Sequence, residues 1–332
     1  MCAGPAFSIG KARTGSSKAR RHASISGSSG TYASRLMDPI SVAVSRGSFV
    51  ESLHLVHAVA VQKGAVVAEA GDPALLTSLR SSAKPFQALP LVRSRDDLDD
   101  VDIAIASASH RAEPEQIEAV RRLLAKAPAT ENDLEVGLQV GRPPQPIYHN
   151  CSGKHAGMLA TCRAQGWPTE GYRLAGHRLQ DEILAEIAAA SDVEPGELET
   201  GVDGCGVVCF ALPLERVAFM FSRLESRERG GRVAAAMRAH PQLIGGAGQP
   251  DTELMRGLPG WIAKGGAEAL FCAAGPDGLG IALKTQDGGY RALRPAIASF
   301  LARLGHELGP GFARVALRNS RGEEVGELAA QP

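Results

Sequence analysis

Arg80-Ser81-Ser82-Ala83-Lys84 is the stretch on which the reading of this chain turns. It sets a serine hydroxyl and a lysine amine three residues apart. On a helix that spacing puts both on one face, within reach of each other. A lysine kept neutral by burial can take the serine proton and leave an alkoxide-like nucleophile. The spacing is weak evidence alone, because Ser8-Ile9-Gly10-Lys11 repeats it. With twenty-four serines and eight lysines such a match also arises by chance. The plain alternative is a helix-capping serine beside a solvated lysine.

Composition narrows the classes. The chain has 332 residues, 44% of them hydrophobic and 22% charged, enough for a large core and two lobes. Its 36 basic and 36 acidic residues cancel, which gives no electrostatic case for nucleic acid or an anionic membrane. No apolar run reaches the roughly 18–20 residues of a membrane span. The six cysteines, Cys2, Cys151, Cys162, Cys205, Cys209 and Cys272, form no dense disulfide framework, and no secretory leader is visible. Reduced thiols and a cytoplasmic location are therefore expected. Residues 1–36 are rich in Ser, Gly, Ala and Arg, with a basic cluster at Lys18-Ala19-Arg20-Arg21-His22. They read as a disordered tail, with one catalytic domain of a sheet lobe and a helical lobe over 37–332.

Periodicity supplies the outline. Ile40, Val42 and Val44 alternate as in a strand, and His57–Val61 with Ala65–Ala70 predicts a hairpin across Gln62-Lys63-Gly64. The serine-lysine stretch opens a helix running toward Val92, short or kinked because of Pro85 and Pro90. Helical spacing marks Pro114–Ala127, Leu179–Ala190 and Gly231–His240. Leu270–Ala274 and Leu279–Lys284 read as a hairpin, Ala292–Leu304 as a helix, and Val315–Arg318 with Glu324–Leu328 as a last hairpin. Strands at both ends and helices between predict an α+β fold, with one mainly antiparallel sheet formed by both chain ends around an inserted helical lobe.

Four further stretches carry chemistry. Ser107-Ala108-Ser109-His110 ends the apolar run Val101–Ala106, a way to present polar groups at a cleft. His149-Asn150-Cys151-Ser152-Gly153-Lys154-His155 precedes an apolar helix start; Cys151 shares a helical face with Lys154 or His155, and either pair could hold a metal. Gly201-Val202-Asp203-Gly204-Cys205 adds Cys205 as a possible third ligand and Asp203 as a group that orients a ligand or binds an amine. Cys209, between Val208 and Phe210, reads as a core thiol. Lys264-Gly265-Gly266-Ala267-Glu268 resembles the Lys-Thr-Gly element that accompanies Ser-x-x-Lys in β-lactamase-like enzymes.

Taken together, and with Arg46-Gly47, Val50-Glu51-Ser52, Thr252-Glu253-Leu254-Met255-Arg256 and Val325-Gly326-Glu327, these stretches resemble the rhizobial-type L-asparaginase (asparaginase II) family from about Ser41 to Leu328. The resemblance implies a serine β-lactamase/glutaminase-like fold and hydrolysis of L-asparagine to L-aspartate and ammonia. It implies two catalytic pairs, Ser81 with Lys84 and Ser109 with Lys264, and a zinc site of Cys151, Lys154 and Cys205 with a water. Arg80, His155 and Asp203 become substrate-binding candidates, and a homodimer is expected. Ser107 and Val207-Val208-Cys209 depart from the family pattern, and Lys284 is the rival to Lys264. A glutaminase or β-lactamase-like hydrolase of the same fold, and a non-catalytic zinc-binding relative, are the alternative readings.

Overall fold

A computed structural model describes residues 37–332. The tail expected over residues 1–36 lies outside the described residues. Eleven strands are present among them: β1 (Ile40–Arg46), β2 (Phe49–Gln62), β3 (Ala65–Ala70), β4 (Leu76–Ser78), β5 (Glu199–Val202), β6 (Val208–Pro213), β7 (Ile262–Gly266), β8 (Leu270–Ala274), β9 (Gly280–Thr285), β10 (Arg314–Arg318) and β11 (Glu324–Ala330). The main sheet runs β10-β11-β1-β2-β9-β8-β7, antiparallel throughout, with β3 beside β2. Strands from both ends of the described chain therefore share one sheet, and the helices between them are inserted, as the sequence pattern implies.

β2 is longer than its apolar run suggests, and two strands share one of its edges. Ile40 to Arg46 pair with its first half, β3 pairs with Ala58 to Gln62, and β9 takes the other edge at Val56 to Val61. Ala58, Val59, Ala60 and Val61 are all buried, so both faces are covered there. The helix Leu214–Ser222 packs on β2, β8 and β9, and the helix Leu293–Arg303 on β1, β11 and β9. Toward the β1–β2 turn the alternation returns, with His54 and Val56 buried and Leu53 and Leu55 exposed. No helix among the described residues is long and apolar enough to cross a membrane.

A second, three-stranded sheet, β4-β6-β5, was not expected from the sequence. It ends beside the Gly204-Cys205-Gly206 turn and so fixes one wall of the site. The helix expected from Ser81 to Val92 is broken into a 3-10 turn, Arg80–Ala83, and short helices Lys84–Gln87 and Leu89–Ser94. Pro85 and Pro90 each stand in a first helical turn, where a missing N–H costs nothing.

The helix Ser152–Gln165 packs on the helix Asp100–Ala106, which is what the apolar run Val101–Ala106 forms. Their approach is set by Gly153, where a Cβ would lie 2.2 Å from the Ile105 carbonyl oxygen. Alanine is normally favoured in a helix by about 1 kcal/mol, but overpacking costs about 1–3 kcal/mol, and here the obstacle is backbone. Gly153→Ala should therefore lower the melting temperature. An unchanged or raised melting temperature in thermal unfolding would mean that the two helices do not meet in this way.

Candidate active site

The Arg80–Ala83 turn rests directly against β7. Ser82 donates from Oγ to the Lys264 carbonyl at 3.1 Å, and a Cβ on Gly266 would sit 2.8 Å from that hydroxyl oxygen. The glycine thus lets the two segments touch. Lys84 and Lys264 are both fully buried. Lys84 donates to the Ala108 carbonyl at 2.7 Å and to Ser109 Oγ at 2.8 Å. Lys264 donates to the same Oγ at 2.9 Å and to the Gly265 carbonyl at 2.7 Å. One serine oxygen is therefore held between two lysine amines.

The expected Ser109–Lys264 contact is present. The expected Ser81–Lys84 contact is not a hydrogen bond in the structure. The hydroxyl of Ser81 makes none among the described residues, and Lys84 turns instead to Ala108 and Ser109. A long buried amine needs acceptors, and a carbonyl plus a hydroxyl at the end of the Asp100–Ala106 helix supply two. Lys284, the rival lysine, donates to the Thr285 carbonyl at 2.5 Å and takes no part in the Ser109 cluster.

Burial pulls the pKa of Lys264 down to about 8; Asp251 opposes this, and the charge of Lys84 adds to it. Asp251 is a site residue that the sequence did not disclose. It is buried, with Oδ2 3.7 Å from the Lys264 amine and accepting from the Gly265 amide at 3.2 Å. Within Pro250-Asp251-Thr252-Glu253 it reads as one of several acidic residues at a helix start, and only the fold turns it toward β7.

Arg80 and Asp203 are brought together. Arg80 Nε donates to Asp203 Oδ1 at 2.7 Å, and the Gly204 amide donates to the same oxygen at 2.7 Å. Arg80 adopts φ +44°, in the left-handed region, which costs a non-glycine residue about 1–3 kcal/mol and is offset here by this ion pair and the β7 contact. His155 is fully buried; burial, then the charge of Lys154, holds its pKa well below the usual histidine value. Its Nδ1 meets the Tyr172 hydroxyl at 2.8 Å, while Nε2 is buried and unpaired among the described residues.

His110 has a structural part. The Ala112 amide donates to its Nδ1 at 3.1 Å, so Nε2 carries the proton and donates to Ser152 Oγ at 2.8 Å. The His110 amide also donates to the Asn150 carbonyl at 3.2 Å. These bonds tie the Ser109 loop to the start of the helix that bears Lys154.

Cys151, Lys154 and Cys205 meet in that buried region, with Lys154 Nζ 3.1 Å from Cys205 Sγ. A hydrogen bond from Cys205 holds the Cys151 thiol well below its ordinary pKa, and Cys205 is raised in turn. Burial opposes charge on Lys154, but Cys205 and Cys151 outweigh it and raise its pKa. The amine is thus an ammonium as it stands, and binding a metal would displace its proton. Two thiols and an amine in one buried place are a donor set that fits zinc. No group of three His, Cys, Asp or Glu that could hold a metal occurs among the described residues. Cys209 is only partly buried and acts on Arg80 electrostatically, so it borders the site instead of filling the core.

The L-asparaginase II family profile matches residues 42–330. No curated protein matches the chain. Among solved structures the chain is similar to Mglu in its native form, at 13% identity and a TM-score of 0.44, over 77% of this chain and 65% of that one. It is also similar to EstCE1, a hydrolase with promiscuous acyltransferase activity, at 12% identity and a TM-score of 0.38, over 71% of this chain and 90% of that one. A β-lactamase from Mycobacterium bovis follows at 14% identity and a TM-score of 0.32, over 75% and 94%.

The contact between Asp251 and Lys264 makes a signed prediction. The carboxylate raises the lysine's pKa, so Asp251→Asn should move the Lys264 titration below its value of about 8. Side-chain NMR of the lysine amine would read this, and a titration that stays put or rises would remove Asp251 from the site.

Proposed function

The chain belongs to the L-asparaginase II family, a family of hydrolases, and from that premise we propose that it hydrolyses L-asparagine to L-aspartate and ammonia. The observation that carries the reading is the serine oxygen held by two buried lysines, one of them with its pKa lowered to about 8. A lysine that loses its proton near neutral pH is a general base, and a buried one is poised for it.

Ser81 attacks the side-chain amide carbon of asparagine. The residue is half-buried and its hydroxyl is engaged by no other group among the described residues, so it is free to meet a substrate. On substrate binding Ser81 turns toward Lys84, and its proton passes to that amine as the amine hands one through Ser109 Oγ to the neutral form of Lys264, the lysine with the lowered pKa. Ser109 links that amine to Lys264, so one proton is shared along Lys84, Ser109 and Lys264. The C–N bond breaks, the relay returns a proton to the departing nitrogen, and ammonia leaves a β-aspartyl ester on Ser81. Water, deprotonated by the same relay, then hydrolyses the ester and regenerates the serine. Arg80 and Asp203, on the residue before Ser81 and on the facing turn, offer opposite charges for the α-carboxylate and α-ammonium, and His155 Nε2 offers a further polar contact. A second reading makes Ser109 the nucleophile, favoured by its two lysine contacts.

Cys151, Lys154 and Cys205 are the residues that would hold zinc. When bound, the ion supplies a fixed positive charge that helps orient the polar groups of the substrate. The homodimer follows from the family resemblance, and light scattering would check it.

Four measurements test this reading. Ammonia release from asparagine should climb with pH through about 8, because the neutral form of Lys264 is the competent one; a rate that falls over that range contradicts the role of the lysine. Ser81→Ala should reduce kcat by about a millionfold, as when a nucleophile is removed, and Ser109→Ala by about 10²–10⁴-fold, as for a proton-transfer partner; the reverse order selects the second reading. Glutamine and a chromogenic cephalosporin as competing substrates would identify the two rival hydrolases. Metal analysis should find about one zinc per chain in the wild type and close to none in Cys151→Ser, and equal content in both would discard the metal site.

A further inference from the structure

Away from the lysines, His54 on β2 meets Asp287 in the loop after β9, with Nδ1 and Oδ2 at 2.7 Å. Arg291 donates from Nε to His54 Nε2 at 2.9 Å and from Nη2 to Ser52 Oγ at 3.0 Å. A serine, a histidine and an aspartate so close invite comparison with a hydrolytic triad. The arginine excludes it, because it occupies the imidazole lone pair that would have to receive the serine proton. The cluster is instead a clamp. It pins the segment 286–291, helped by the Gln286 amide on the Leu55 carbonyl at 2.9 Å and the Gly289 amide on Asp287 Oδ1 at 2.8 Å.

What the clamp holds in place is Tyr290. A Cβ on Gly265 would lie 2.8 Å from the Tyr290 hydroxyl oxygen and 3.6 Å from Asp251 Oδ2. The phenol therefore reaches the backbone of the residue that follows Lys264 and that donates its amide to Asp251. Tyr290 is 44% exposed as a residue, yet burial, then the Asp251 carboxylate, raises the pKa of its hydroxyl. One end of the side chain is in water and the other is inside, against Gly265 and toward Asp251, the carboxylate that also faces the fully buried Lys264.

We infer that Tyr290, seated by the His54–Asp287–Arg291 clamp, is a positioning residue of the Ser109 centre whose ring closes Asp251 and Lys264 off from water. This rests on the reading of Lys264 as a proton-carrying lysine. Burial is the main cause of that lysine's lowered value of about 8. The charged and titratable groups facing it are Asp251 from the helix Pro250–Gly257, Lys84 from the nucleophile turn, Cys151 and Cys272; all but Lys84 raise its pKa. Loss of the ring changes none of these charges and admits water, so the lysine moves back toward its ordinary value.

The test is an NMR titration of the Lys264 amine in the full chain, assigned with Lys264→Arg, for the wild type, Tyr290→Ala, Tyr290→Phe and Arg291→Ala. Tyr290→Ala and Arg291→Ala should both titrate about one unit higher than the wild type, while Tyr290→Phe keeps the ring and stays within a few tenths of a unit. Tyr290→Leu replaces the alanine variant if that does not fold. A wild-type titration in Tyr290→Ala or its leucine substitute overturns the inference, as does a Tyr290→Phe shift as large as that of alanine. A shift in Tyr290→Ala with none in Arg291→Ala overturns the clamp. The titration needs no turnover: absence of ammonia release from asparagine by the wild type would sink the asparaginase reading and leave this result standing.

Discussion

Two buried lysine amines share one serine oxygen, and this contact constrains much of the rest of the molecule. Two ammonium ions so close in a dry site repel each other, and each would need acceptors for its remaining protons. The fold supplies the Ala108 and Gly265 carbonyls, and the Asp251 carboxylate at 3.7 Å from Lys264. Even so, Lys264 is held at about 8. An amine kept on the edge of neutrality by burial is suited to moving a proton, and less suited to being a structural ion pair.

The architecture serves that contact. Lys264 comes from an edge strand of the main sheet, Lys84 from a turn resting on that strand, and Ser109 from the end of a helix in the inserted lobe. Small residues permit the approach where these elements meet: Gly266 under Ser82 and Gly153 against Ile105. The same helix start that Gly153 packs in place carries Lys154, and the electrostatic effect of Lys84 reaches Cys151. The two thiols and Lys154 are thus within electrostatic reach of the serine-lysine cluster, so a bound cation there would also bear on the charge of the two lysines.

Much of this was legible in the residues. Alternation and turn signals delimited the hairpins at both ends, and helical spacing located Pro114–Lys126 and Arg178–Ser191 close to their bounds. The stretches around Ser81, Ser109, Cys151, Asp203 and Lys264 pointed to groups that the fold gathers. The three-stranded sheet was not legible: β4 has three residues, and β5 is exposed along its whole length, so neither shows a two-residue period. Spacing also did not disclose the hydrogen-bond partners of Lys84, which are Ala108 and Ser109. Three residues of separation put two side chains on one side of a turn, but the lysine has four methylenes and follows the better acceptors. Asp251 and Tyr290 could not be found by pattern, since Asp251 is turned toward β7 only by the fold and Tyr290 is seated by residues of β2 far away in sequence.

The central claim is that an asparagine amide is opened through a serine ester driven by the Lys84–Ser109–Lys264 relay. Acid quenching during turnover, followed by peptide mass spectrometry, tests it most directly. The account predicts an aspartyl ester on the peptide containing Ser81, appearing together with a burst of ammonia. Steady ammonia release with no ester on any serine would contradict it.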